Sequence, residues 1–344
     1  MRIPIRWAMI PSFLSILLMT PTLVFAWGSA GHEAIAYVAW QQMTPTARAR
    51  AIELLKQVPT LHNADDTKTI AGYADWVADL PAGLSQDEQN LELFMRAATW
   101  ADSIKHQWLI DSDTPPRGRT TEVHIGFTDK ESHGYWHFID TAFASDGSTI
   151  PATPVPNVVT QIVVLRQFLA SNEDDLLKSY DLVWLEHLVG DIHQPLHGCT
   201  RYFAGASDIG GNDVPIQLTE MMKKTFEGTL SKSAPNELHF FWDDLPGEGQ
   251  ARATLPMAAA FAEKLPRAAT SEVAMIDPAK WAAESFALAK RDAYAPPIGD
   301  SPKPADGSAY LITTAYYDKA MVDAKNRVAL AGARLAKLLN ENLK

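Results

Sequence analysis

The 344-residue chain is 47% hydrophobic and 21% charged, enough apolar content to bury a large core in one or two globular units. Its formal charge of −11 makes it a poor candidate for gripping duplex DNA by phosphate neutralisation. Its single cysteine, Cys199, excludes an intrachain disulfide framework.

The first 26 residues differ in kind from the rest. Arg2 and Arg6 precede an apolar run through Phe13, Leu14, Ile16, Leu17 and Leu18, and Val24-Phe25-Ala26 offers small residues where a signal peptidase cuts. Residues 1–26 are therefore predicted to be a cleaved signal peptide. Its loss removes two positive charges and takes the formal charge from −11 to −13. No later segment is long and apolar enough to span a bilayer.

Beyond Ala26, apolar residues recur at three- and four-residue spacing, and alternating strand patterns are few. The pattern predicts helices over 33–42, 46–57, 158–170 and 180–193, with Thr44-Pro45 as N-cap and first-turn proline of the second. A long amphipathic helix is predicted over 314–339, with Val322, Ala329, Leu330, Leu335 and Leu338 on its apolar side. The Pro-, Gly- and Asp-rich stretches 111–119, 145–157, 205–212 and 295–307 read as connections, not as flexible linkers. An all-α fold, one multi-helix domain over 27–344, is the expected architecture.

The strongest chemical signal is His187-Leu-Val-Gly-Asp191-Ile-His-Gln-Pro-Leu-His197. His187 and Asp191 are four apart, so on a helix both project from one face, about 40 degrees apart. His197 lies beyond Pro195, where the chain must bend, and can return to the same place. His239 and Asp243 repeat the four-residue spacing. Imidazole and carboxylate donors in this pattern suit zinc or a similar cation. An exposed i,i+4 ion pair has the same spacing, but the apolar neighbours Leu185, Leu188, Val189, Phe240 and Phe241 place both pairs near the core. His193, about 200 degrees round the helix from Asp191, is expected to pack or support and not to share their metal. Trp27-Gly-Ser-Ala-Gly-His32 would open the mature chain, where the Trp27 amine and carbonyl could chelate together with His32. Thr99-Trp-Ala-Asp102 and Tyr135-Trp-His137-Phe-Ile-Asp140 add a carboxylate and an imidazole among aromatic residues.

Taken in order, these segments, with Gly210-Gly211-Asn212 and Leu238-His-Phe-Phe-Trp-Asp243, resemble the S1/P1 nuclease family, which shares its fold with bacterial zinc-dependent phospholipase C. The resemblance runs from Trp27 to 331–340, nearly the whole mature chain. It implies an all-α enzyme with three Zn2+ ions. One zinc would take Asp102, His137, His187 and Asp191; a second Trp27, His32 and the other oxygen of Asp191; a third His197, His239 and Asp243. It further implies attack on phosphorus by a water activated between the two Asp191-linked zincs, which makes Asp191 a catalytic residue, and 5′-phosphate products from single-stranded DNA and RNA, with 3′-nucleotides as further substrates.

Phe138 and Asp140 would hold a base by stacking and hydrogen bonding, with Ile209 on its opposite face and Asn212 beside it. Such a slot selects unpaired strands without a basic groove. Three features depart from the pattern. Lys105 stands where the family carries an arginine, so a phosphate-facing catalytic cation is kept but its bidentate fork is lost. The stretches from Asp102 to His137 and from His197 to Gly210 are long and are expected to rim the cleft, with His124 and His133 shaping access to it. Disulfides are absent, which with the leader suggests a bacterial periplasmic or secreted enzyme. A phospholipase C on the same scaffold is the alternative, weakened because those enzymes resemble His-x-x-x-Glu at the third zinc. Nothing implies a stable protein partner.

Overall fold

A computed structural model describes residues 27–344 except 64, 106, 108–111, 119–123, 130, 227–233 and 248–251. The leader predicted over 1–26 lies outside the described residues. The chain is helical, with strands of only two to four residues among those described. The helices run in the order α1 (Ser29–Gln42), α2 (Pro45–Leu55), α3 (Tyr73–Ala78), α4 (Gln86–Ala97), α5 (Trp100–Ser103), α6 (Val158–Leu169) and α7 (Asp175–Asp191). They continue with α8 (Glu220–Phe226), α9 (Leu238–Asp244), α10 (Leu255–Ala262), α11 (Thr270–Ala274), α12 (Pro278–Leu288) and α13 (Thr314–Asn342). All five predicted helices are present, with ends shifted by a few residues.

Local chemistry explains several of the boundaries. The Thr44 hydroxyl accepts from Ala47 N–H at 3.2 Å and Pro45 occupies the first turn of α2, as the sequence predicts. Ser85 and Glu88 form a reciprocal capping box at the start of α4. Asp174 accepts from Leu177 N–H at 3.0 Å and opens α7.

Helix α7 is the axis of the molecule. Every residue from Ser179 to Asp191 is buried, so it has no solvent face and its polar side chains must find partners inside the protein. Helices α1, α2, α6 and α13 all pack on it, while α1 lies along α13. The buried side of α13 carries Ala324, Val328, Ala331, Leu335 and Leu338. Val322 does not belong to it: the residue is 55% exposed, because a two-residue step from Ala324 turns about 200 degrees round the helix.

The strands are short braces. Ala142–Ala144 pairs in parallel with Thr200–Phe203, which pairs antiparallel with Ala206–Ser207, so the second long stretch folds as a small sheet. The described part of the first long stretch lies partly over α7. There His124 approaches Asp181 Oδ1 at 2.5 Å through Nε2 and Glu173 Oε2 at 3.3 Å through Nδ1, with its ring stacked on Phe168. The two ring nitrogens thus face two different carboxylates. Burial opposes protonation of His124, but the two carboxylates outweigh it and raise its pKa. His133 is buried, 2.7 Å from Asp129 and 3.1 Å from the Tyr135 hydroxyl, and stacks on Trp136. Both side chains are nearly buried. Contrary to the sequence expectation, both fasten the stretch to the body.

Candidate metal centre

Three groups of buried histidines and carboxylates meet around the C-terminal end of α7, delivered by segments far apart in sequence. The first comprises Asp102 from α5, His137 from the turn after Trp136, and His187 and Asp191 from α7. His137 Nδ1 lies 2.9 Å from Asp191 Oδ2 and 4.0 Å from Asp102 Oδ1. His187 Nε2 lies 3.3 Å from Asp191 Oδ2, 3.5 Å from Asp102 Oδ1 and 3.0 Å from His137 Nδ1. The second turns on the other oxygen of the same aspartate: His32 Nε2, from α1, lies 3.2 Å from Asp191 Oδ1. The third joins His197, from the turn Pro195–Gly198, to His239 and Asp243 of α9. Their imidazole Nε2 atoms lie 3.9 and 3.6 Å from the Asp243 carboxylate oxygens.

These separations suit atoms that share an ion. Two donors at about 2.0 Å from a tetrahedral zinc sit about 3.3 Å apart. Among the described residues, His32 Nε2, Asp191 Oδ1, His197 Nε2 and His239 Nε2 are buried and without hydrogen-bond partners. Four such atoms around one locus carry a large desolvation cost unless a cation satisfies them. The residues therefore fit a metal centre.

The backbone aims the rings. His187, His197 and His239 turn Nδ1 to the carbonyls of Ala98, His137 and Gly210 at 2.8, 2.7 and 2.7 Å, which leaves each Nε2 lone pair facing inward. The Gly210 carbonyl can take that position because Gly210 sits at φ 59°, a left-handed conformation that costs other residues about 1–2 kcal/mol. Gly190 has a different reason: a Cβ there would lie 2.8 Å from His32 Nδ1, so only glycine leaves room for that ring beside α7.

The electrostatics favour the ligating form at most of these groups; at His187 burial lowers the pKa, but Asp191 and Asp102 outweigh it and raise it. Burial lowers the pKa of His32 to about 4 and of His137 and His239 to about 3, so their rings are neutral at neutral pH. Burial alone would raise Asp191, but His187, His137 and His32 around it hold it well below the usual carboxylate range. Asp102 is likewise held low, against burial, chiefly by the Lys105 ammonium 2.8 Å away. Asp243 is different: burial pushes it well up, so a cation arriving there must displace a proton.

Trp27 is buried beside the centre. Its indole Nε1 donates to Gly190 O at 3.0 Å, and Gly28 N donates to Asp243 O at 2.9 Å, so the segment is tied to both α7 and α9. His193 does not join the groups; it bonds Val189 O and Arg334. Lys105 is nearly buried against Asp102, a pairing its spacing alone did not reveal. Phe138 is packed partly into the core beside a small cavity, which Asp140, Tyr135 and the Asp113 of the long stretch also line. Burial, with Asp208 and Asp113 nearby, raises Asp140 to about 6. Ile209 is 55% exposed, and Asn212 Nδ2 donates to its carbonyl at 2.6 Å. A larger cavity of about 620 Å³, among α1, α10, α11 and α13, contains none of these residues.

Sequence reasoning passed over Gln194. Its amide Nε2 donates to Asp243 Oδ1 at 2.7 Å, and its one available signal was a polar residue between two candidate ligands in a buried stretch.

Comparison with known proteins places the chain among nucleases. Nuclease P1 of Penicillium citrinum is 24% identical over 333 residues, covering 92% of this chain and 97% of its own. Nuclease S1 of Aspergillus oryzae is 22% identical over 339 residues, covering 92% of each. Endonuclease 2 of Arabidopsis thaliana is 25% identical over 193 residues, 56% of this chain and 51% of its own. The S1/P1 Nuclease family model matches residues 27–344, the same span that delivers all three groups of buried donors, and the chain accordingly belongs to the S1/P1 nuclease family, hydrolases of phosphodiester bonds.

Proposed function

We propose that this nuclease is zinc-dependent and cleaves single-stranded DNA and RNA to 5′-phosphate products, accepts 3′-nucleotides as well, and works outside the cytoplasm after loss of residues 1–26. The observation that carries the metal dependence is the convergence of buried, unpartnered imidazole and carboxylate atoms on the end of α7. Asp102, His137, His187 and Asp191 would hold one zinc, and Trp27, His32 and Asp191 a second. His197, His239 and Asp243 would hold the third. Bound there, zinc lowers the pKa of water toward neutrality and offsets charge on the phosphoryl and leaving oxygens.

The chain's own side chains do the rest. Lys105 steadies Asp102 and sets positive charge beside the centre for the scissile phosphate. Phe138 and the exposed Ile209 offer apolar faces for a base, and Asp140 an acceptor for its edge, with Asn212 holding the Ile209 backbone. A base taken into such a slot must be unpaired, which selects single strands.

Purified mature chain is expected to contain about three zinc ions and to cut single-stranded DNA and RNA in a chelator-sensitive way. Activity that survives complete removal of metal would overturn the reading. The slot makes its own prediction. Above pH about 6 Asp140 is ionised and accepts from exocyclic amines; below that it carries a proton. Preference for adenine- or cytosine-bearing substrates over uracil should therefore fall as pH drops through about 6, and Asp140→Asn should remove that dependence. Equal pH profiles in the two proteins would place the base elsewhere.

A further inference from the structure

Each carboxylate of the centre is steered by its own surroundings. Asp191 is ringed by three histidines, and Asp102 is held by Lys105. Among the described residues Asp243 meets His239 and His197 Nε2 at 3.6 and 3.9 Å, and its close partner is the Gln194 amide at 2.7 Å. That amide works in both directions, since its Oε1 also accepts from Leu196 N–H in the turn that carries His197. Gln194 is fully buried and its own backbone is pinned: its N–H donates to Asp191 O at 2.9 Å, and Arg327 Nε donates to the preceding carbonyl of His193 at 3.0 Å. One side chain thus connects the end of α7, the turn bearing His197 and the α9 carboxylate.

We propose that Gln194 is the positioning residue for the third metal position. It occupies Asp243 Oδ1, which leaves Oδ2 as the ligating oxygen on the His239 side. It also shapes the turn that presents His197. The proposal rests on the three-metal reading above. Glutamine suits the task because it is neutral and offers a donor and an acceptor from one rigid group. A carboxylate in its place would confront Asp243 with like charge, and an apolar residue would leave the Leu196 N–H and Asp243 Oδ1 buried without partners.

The test is zinc titration of the mature chain against a competing chelator, with metal counted at each free zinc concentration. Gln194→Met keeps the volume and removes both hydrogen bonds. Its third zinc is expected to bind roughly 10- to 100-fold more weakly, while the two Asp191-linked positions keep wild-type affinity. Single-strand cleavage should be lost at low free zinc and recover as zinc is raised, a rescue that general structural damage would not show. Gln194→Asn keeps the amide on a shorter stem; it serves if the methionine variant does not fold, and should show the same selective loss in smaller measure. Third-site affinity equal to wild type in these variants, or equal weakening at all three positions, would overturn the assignment. A wild-type chain that never takes a third zinc would instead defeat the three-metal reading, and this proposal with it.

Discussion

Asp191→Ala is expected to release two metal ions, not one. Its two oxygens point to different groups: Oδ2 lies 2.9 Å from His137 and 3.3 Å from His187, and Oδ1 lies 3.2 Å from His32. Removing the carboxylate deletes the anion the two groups share: the His32 side loses its carboxylate, and the His137 and His187 side keeps only Asp102. Cleavage should fall by more than about 10³-fold, above the loss that follows removal of a single stabilising donor. The third group, separated from Asp191 by the Gln194 turn, should keep its ion. Metal analysis of the variant decides the matter: loss of a single ion, or of none, would mean that Asp191 does not bridge.

The second large effect is expected from the start of the mature chain. Trp27 is held by its indole to Gly190 O and through Gly28 N to Asp243 O, so the residue cannot slide when something is added before it. An added residue converts the α-amine into an amide with no basic lone pair. The position served by His32 would then lose a donor. A mature chain extended by Gly-Ala is expected to lose one zinc at limiting metal and about 10²-fold in activity, with an unchanged circular dichroism spectrum. Full metal content and activity in the extended chain would show that the terminus is not a ligand. On the proposed reading, removal of residues 1–26 is a condition for a complete centre.

Much of this site was legible because its spacing is local. A four-residue step on a helix places two side chains on one face wherever that helix ends up, so His187 with Asp191, and His239 with Asp243, could be paired on paper. The Thr44-Pro45 start of α2 was equally local, since the cap reaches only three residues along the chain. Resemblance supplied the grouping of Trp27, His32, Asp102, His137 and His197, which no periodicity connects.

Other features needed the packed molecule. Lys105 could be read as a cation for phosphate, but only the fold shows it resting on Asp102. His124 and His133 read as cleft residues and prove to be fastenings, because the path of a long connection depends on what it can bury against α7 and not on its own composition. Gln194 offered only its polarity between two candidate ligands until α9 brought Asp243 to its amide. The sequence by itself determined the helices, the local donor pairs and the family. The tertiary structure decided which nitrogen of His187, His197 and His239 faces inward and which side chain steers each carboxylate. Those choices rest on hydrogen bonds to residues tens of positions away, which only packing can bring within 3 Å.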